Sequence, residues 1–170
     1  MTKTESGASP GLPILSVAEA NVSRLAVFRK NADVLLGVRQ LSTFDCHASL
    51  ICIAYSNCEW DFDGNPLNGT TLPFNGGPPH HFNCRSVLVG ISGNPLIRNM
   101  KGTRASDEGQ IDRNTSFDQF FKRKPRSYLD EILGEGRADL WCRGKISCRD
   151  LLDDGGHIMS LEELRFRFDD

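Results

Sequence analysis

A chain of 170 residues is enough for one modest domain with a real core and too short for two large ones. Its 39% hydrophobic and 25% charged residues are those of an ordinary soluble protein, made loop-rich by 16 glycines and 8 prolines. A formal charge of -2 leaves no global electrostatic case for nucleic acid, so any such contact needs a local patch.

Residues 1–13 are polar, rich in small side chains and broken by Pro10 and Pro13, which predicts a flexible start over 1–15 and argues against a signal peptide. Ser16-Val17-Ala18-Glu19 has the form of a capping box, and Val17, Ala20, Val22, Leu25, Ala26 and Phe28 recur at helical spacing, predicting a helix over 17–29. Asn31 and Asp33 break it, and residues 34–41 read as a short buried strand. Residues 49–56 are buried either as helix or as strand. From 61 to 79 the chain is dominated by Asp, Asn, Gly and Pro, a long loop expected to lack regular structure and to be pinned, with a bound metal as one means. Residues 87–91 read as a strand and 92–116 as an irregular polar connection.

The last third changes character. Phe117, Phe120, Phe121, Leu129, Ile132 and Leu133 predict helical segments interrupted at Pro125, and Gly134 and Gly136 offer a stop before a further helical stretch at 137–143. Ser160-Leu161-Glu162-Glu163 opens a terminal helix with Leu164 and Phe168 on one face. The expected fold is α+β: a small mixed or antiparallel sheet with flanking helices, a long Gly/Pro/Asn-rich loop and a helical C-terminal third. The expected divisions are a flexible start (1–15), an α+β core with a Cys/His loop (16–116) and a helical region (117–170). No run approaches the ~20 apolar residues that span a bilayer.

Chemistry concentrates in Pro78-Pro79-His80-His81-Phe82-Asn83-Cys84-Arg85-Ser86, which joins the loop to the strand at 87–91. The prolines restrict the backbone beside two imidazoles and a thiol. In a cytoplasmic chain, the expectation here, the six cysteines are reduced thiols or metal ligands rather than disulfides. His81-x-x-Cys84 is a close pair of the donor types that zinc prefers. Read without metal, Cys84 is a buried small residue and His81 hydrogen-bonds the loop.

Three ordered blocks, FRKNADVLLGVRQLSTFD (28–45), SLICIAYSNCEWDFDGNPLNGTTLPFNGGPPHHFNCRSVLVGI (49–91) and FDQFFKRKPRSYLDEILGEGRADLWCRGKISCRDLLDDGGHIMSLEELR (117–165), resemble the C-terminal part of phage Mu F-like minor head proteins, the phage head morphogenesis family. The family pattern falls on Asp45, Cys52, Pro79, His81, Cys84 and Arg85. It implies a structural role in virion head assembly through portal or capsid contacts, without catalysis, and a place in the virion or host cytoplasm. It also makes Cys52 the third metal ligand beside His81 and Cys84, with Arg85 fixing a neighbouring carboxylate or carbonyl. The fourth ligand stays open among Cys46, Cys58, His80, His47 or a carboxylate. The chain departs from the family in carrying His47-Ala48 where an Arg-Thr pair is usual, and in the near absence of a helical region before Ser16, as expected of a shortened prophage product.

Catalytic alternatives use the same residues. A zinc deaminase needs His-x-Glu and Pro-Cys-x-x-Cys, and neither occurs. A metal-dependent hydrolase or nuclease, a phage-borne effector, draws on His80, His81 and Asp61 or Asp63. A Cys84 nucleophile activated by His81 lacks an orienting acid. Lys122, Arg123, Lys124 and Arg126 form a local basic patch that reads first as a solvated helix face, with contact to DNA or an acidic partner as the other reading. Trp60 and Trp141 read as core or interface anchors. In the Leu129 to Arg137 stretch, the glycine pair reads as close packing or helix termination, with an intermolecular salt bridge from Arg137 as the other reading.

Overall fold

The computed structural model describes residues 16–169, and its α+β architecture matches the expected class; the start at 1–15 lies outside the described residues. The main sheet has β1 (Leu35–Leu41), β2 (Glu59–Trp60), β3 (Pro66–Leu67) and β4 (Val87–Ser92) in the order β3-β2-β1-β4, all antiparallel. A hairpin of β5 (Thr103–Ser106) and β6 (Gly109–Asp112) is tied to the end of β1 by a bridge between Phe44 and Ser106. Helix α1 (Val17–Lys30) precedes the sheet, α2 (Leu50–Tyr55) follows β1, and α3 (Pro95–Arg98) follows β4. The C-terminal part holds α4 (Phe117–Phe121), α5 (Arg126–Leu133), α6 (Glu135–Cys142), a 3₁₀ turn (Cys148–Leu151) and α7 (Leu161–Phe168). Among the described residues, no helix is long and apolar enough to cross a membrane.

The capping box of α1 forms as expected: the Ser16 hydroxyl accepts from the Glu19 backbone at 3.3 Å, and the Glu19 carboxylate accepts from the Ser16 N–H at 2.8 Å. Its buried face differs from the periodicity reading. Val17, Val22 and Val27 are exposed, Leu25 and Phe28 pack against the core, and the one buried residue is Asn21. The reason lies on β4, an edge strand whose outward backbone groups need partners. Asn21 supplies them, its Oδ1 accepting from the Leu88 N–H at 3.1 Å and its Nδ2 donating to the Ser86 carbonyl at 3.2 Å. Replacing Asn21 by Leu orphans both groups, and urea unfolding is expected to show a loss of about 2–3 kcal/mol with an unchanged slope. A loss below about 0.5 kcal/mol would mean that water already serves that edge.

The sheet closes on aromatic residues. Gly37 sits against β2 so closely that any side chain there would run into the Trp60 carbonyl oxygen. Trp60, Tyr55 and Leu72 are all but inaccessible, and Tyr55 and Phe74 flank Trp60 with ring centroids at 5.8 and 5.3 Å. These groups pin the 61–79 loop. Trp60 Nε1 donates to the Leu72 carbonyl at 2.8 Å, the Tyr55 hydroxyl donates to the Pro73 carbonyl at 3.2 Å, and Glu59 N–H donates to Thr70 Oγ1 at 2.8 Å. Asp61 gathers the turn at its start, accepting from the Asp63 and Asn65 backbones and from the Asn65 amide. The loop thus contains regular structure, β3, and is held along its length by hydrogen bonds and one buried leucine; the expectation of an unstructured loop is corrected.

The 92–116 segment is corrected too, since it contains α3 and the β5–β6 hairpin. The hairpin's apolar alternation is missing because its one buried residue is Arg104, 7% exposed. That guanidinium donates to Asn57 Oδ1 at 2.8 Å, Ser56 Oγ at 2.9 Å and the Ser42 carbonyl, and it lies over the Phe44 ring at 4.2 Å. Asp107 and Glu108 make the turn between the two strands, and Gly109, with φ 97°, leads out of it into β6.

Helices α4 to α7 follow the expected punctuation except at Gly136, which was expected to help stop the chain before residue 137 and instead lies inside α6, since Gly134 alone ends α5. Ser116 and Gln119 form a capping box on α4, Pro125 opens α5, and Ser160 with Glu163 caps α7. Gly134, at φ 78°, ends α5, while Gly136 packs so tightly that a side chain there would meet Leu161. Arg137 donates to the Met159 carbonyl at 2.8 Å, an internal use. Phe44 meets Phe117 and Phe120 at 4.1 and 5.0 Å, so sheet and C-terminal helices share one hydrophobic core.

Candidate metal centre

Cys52 sits in the first turn of α2, 4% exposed, its N–H capped by the Ser49 hydroxyl. His81 and Cys84 lie on the turn that leads into β4. The Cys84 N–H donates to the His81 carbonyl at 3.2 Å, and Asn83 adopts φ 62°, a left-handed conformation that asparagine tolerates better than most residues. The tight turn presents His81 and Cys84 together to Cys52, 29 and 32 positions earlier in the chain.

The donor atoms converge. Cys52 Sγ is 3.1 Å from His81 Nε2 and 3.6 Å from Cys84 Sγ, and all three lie within 4.8 Å of one another, near enough to hold one metal ion. The sulfurs are free thiols, far beyond the ~2.05 Å of a disulfide. They sit close to the ~3.7 Å edge that two thiolates span around a tetrahedral zinc with ~2.3 Å bonds. His81 Nδ1 is 2.7 Å from the Phe82 carbonyl, to which it donates; this leaves the Nε2 lone pair directed at the sulfurs. The donor set of two sulfurs and one imidazole fits zinc by type and spacing.

The two thiols are not equivalent. A hydrogen bond from Cys52, assisted by the backbone at His80 and Ser86, pulls Cys84 far below the ordinary thiol range, against the opposing effect of burial. Sharing that bond with Cys84, together with burial, pushes Cys52 up. The two thiols share one hydrogen bond, and a metal ion bound between them would displace its proton. Ser42 braces the site, donating to the Cys52 carbonyl at 2.8 Å and lying 2.9 Å from the Ser86 hydroxyl. Beside it Arg85 grips Asp45 with both guanidinium nitrogens, one at 2.6 Å, so the carboxylate expected opposite Arg85 is Asp45.

The structure does not bring the expected fourth ligands into this group. Cys58 lies in the hydrophobic core, its sulfur against the Ala54 carbonyl. His80 stacks on Tyr55 at 4.8 Å and binds Gln40 Oε1 at 2.8 Å, and burial lowers its pKa. Cys46 pairs with His47. Nor does the hydrolase set assemble: Asp61 is spent on its own loop, and among the described residues no metal-holding group contains His80, Asp61 or Asp63. The basic patch is smaller than its sequence, since Lys124 is bound by Asp107 and Glu108 and Arg126 by Asp130, leaving Lys122 and Arg123 without an ion pair among the described residues. Trp141 packs at the core edge and donates to Asp118 at 2.7 Å.

Ser42, Ser86 and Thr43 border the site and went unread in the sequence, because isolated hydroxyls carry no spacing signal. No family model, curated protein or solved structure matches the chain.

Proposed function

We propose that this chain is a non-catalytic assembly module, a minor head protein of phage head morphogenesis, whose Cys52, His81 and Cys84 hold a structural zinc ion. The carrying observation is convergence: of the six positions on which the family resemblance rests, Cys52, His81 and Cys84 gather within 4.8 Å, and Asp45 and Arg85 form an ion pair beside them. Residues 29, 32 and 40 positions apart in the chain meet here without any local pattern requiring it. Bound zinc would tie α2 to the entrance of β4, closing the ring of chain that contains the 61–79 loop. The surface so fixed would meet portal or capsid proteins, with Lys122 and Arg123 the remaining cations for contact with packaged DNA.

Elemental analysis of protein purified without chelator is expected to give close to one zinc per chain, and Cys84→Ser to give almost none. Mass spectrometry of purified heads is expected to detect the chain as a component. Metal-free wild-type protein would remove the zinc from this reading, and a chain confined to the lysate and missing from heads would remove the assembly role.

A further inference from the structure

A tetrahedral ion needs four donors, and the group supplies three. The neighbouring donors are committed elsewhere. Cys58 binds the Ala54 carbonyl, His80 holds Gln40, and Asp45 is clamped by Arg85 while accepting from the His47 backbone at 2.9 Å. Cys46 and His47 hold each other, sulfur to Nδ1, at 3.0 Å.

Against Cys52 and His81 lies a small cavity of about 10 Å³. Its other walls are largely polar, including Ser42, His47, Asn83, Arg85 and Ser86. A space of roughly 10–15 Å³ with several polar partners is what one water molecule requires. A wider cleft borders the site from the side of Cys84 and shares His47, His81, Asn83 and Arg85 with that cavity, giving an approach from solvent.

We propose that the metal held by Cys52, His81 and Cys84 keeps its fourth position exchangeable, occupied by water and open to a small anionic donor that enters through this cavity. The proposal rests on the metal reading above. Two thiolates and a neutral imidazole balance a divalent ion, so an incoming anion leaves one negative charge on the centre. The Asn83 amide and the Arg85 N–H groups that Asp45 leaves free are the donors on the wall that meet it. The exchange is a simple substitution: water leaves as the anion binds, and no electron is transferred. The small volume limits the ligand to one donor atom with little bulk behind it. Closed structural zinc sites use four protein ligands, whereas three protein ligands and a water mark an open one. His47 is the one other imidazole, thiol or carboxylate among these cavity and cleft walls, and so the side chain that competes for the position.

Cobalt(II) in place of the native metal reports donor number and type through its visible bands, with no activity required. Sodium azide is the probe. Azide is expected to shift the bands saturably in the wild-type protein and equally in His47→Ala. Bands unmoved in the wild type but responsive in His47→Ala would show that His47 fills the position and overturn the proposal. Bands unmoved in both would overturn it as well, with the metal reading left intact. Absence of cobalt bands, with Cys52 and Cys84 both freely titrated by a thiol reagent, would bring down the metal reading together with this one.

Discussion

Stripping metal from the purified protein with a chelator is expected to lower its melting temperature by roughly 8–16 °C. An ion present at about 1,000 times its dissociation constant stabilises the folded state by about 4 kcal/mol. In a domain of this size each kcal/mol moves the midpoint by about 2–4 °C. The mechanism is local. Cys52 belongs to α2 and Cys84 to the turn before β4, so an ion held there would cross-link two segments separated by the whole 61–79 loop. Acid should mimic the chelator, because protons compete for the thiolates and for His81 Nε2, and stability should fall as pH drops through the range in which metal is released. Cys84→Ser should melt near the stripped protein and be insensitive to chelator. Differential scanning calorimetry with and without chelator checks both. A wild-type midpoint that ignores the chelator would mean that Cys52, His81 and Cys84 pack as thiols and a loop-bound imidazole.

Arg104→Ala is expected to cost about 3–5 kcal/mol in urea unfolding, as the sum of several orphaned acceptors. Arg104 is a buried cation with no carboxylate partner among the described residues. Burial, with Arg39 nearby, pushes its pKa down to about 10, still well above neutral pH. Its charge is met by the Ser42 carbonyl, Asn57 Oδ1, Ser56 Oγ and the face of Phe44. Removing the side chain leaves buried acceptors unmet and breaks the side-chain link from the β5–β6 hairpin to Ser42 and to Ser56 and Asn57 after α2, leaving only the backbone bridge at Phe44. Arg104→Lys should recover only part of the loss, because one ammonium does not reproduce the planar fork that reaches several acceptors at once. Hydrogen exchange should localise the damage to Thr103–Ser106 and Gly109–Asp112. A loss below about 1 kcal/mol for Arg104→Ala would mean that water replaces the guanidinium without penalty.

The elements that the chain encodes locally were legible in advance. Ser16 and Ser160 announce helices because each cap satisfies backbone donors within three residues, and Pro125 and Gly134 bound α5 through their own dihedral preferences. β1 and β4 show as apolar, β-branched runs. The His81-Phe82-Asn83-Cys84 turn was equally readable as a short-range donor pair, and its resemblance supplied Cys52. By contrast, a two-residue strand such as β3 exists only because β2 lies beside it, and nothing in Pro66 and Leu67 demands that pairing.

Tertiary structure alone decided the roles that run against residue type. Asn21 and Arg104 are polar residues in buried positions, so hydropathy assigns both to the surface; each is inside because distant backbone groups at Ser86, Leu88 and Ser42 need a partner there. The expected fourth ligands failed for a related reason: spacing along the chain says which residue types are available, while the directions of Cys58, His80 and Cys46 are fixed by the core, by Tyr55 and Gln40, and by His47. The sequence by itself determined the capped helices α1 and α7, the central strand pair and the turn that carries His81 and Cys84, because those depend on interactions spanning a few residues. Which donors meet, and what space is left between them, was decided by contacts between segments as far apart as Ser42 and Ser86, whose geometry follows from the packing of the whole sheet.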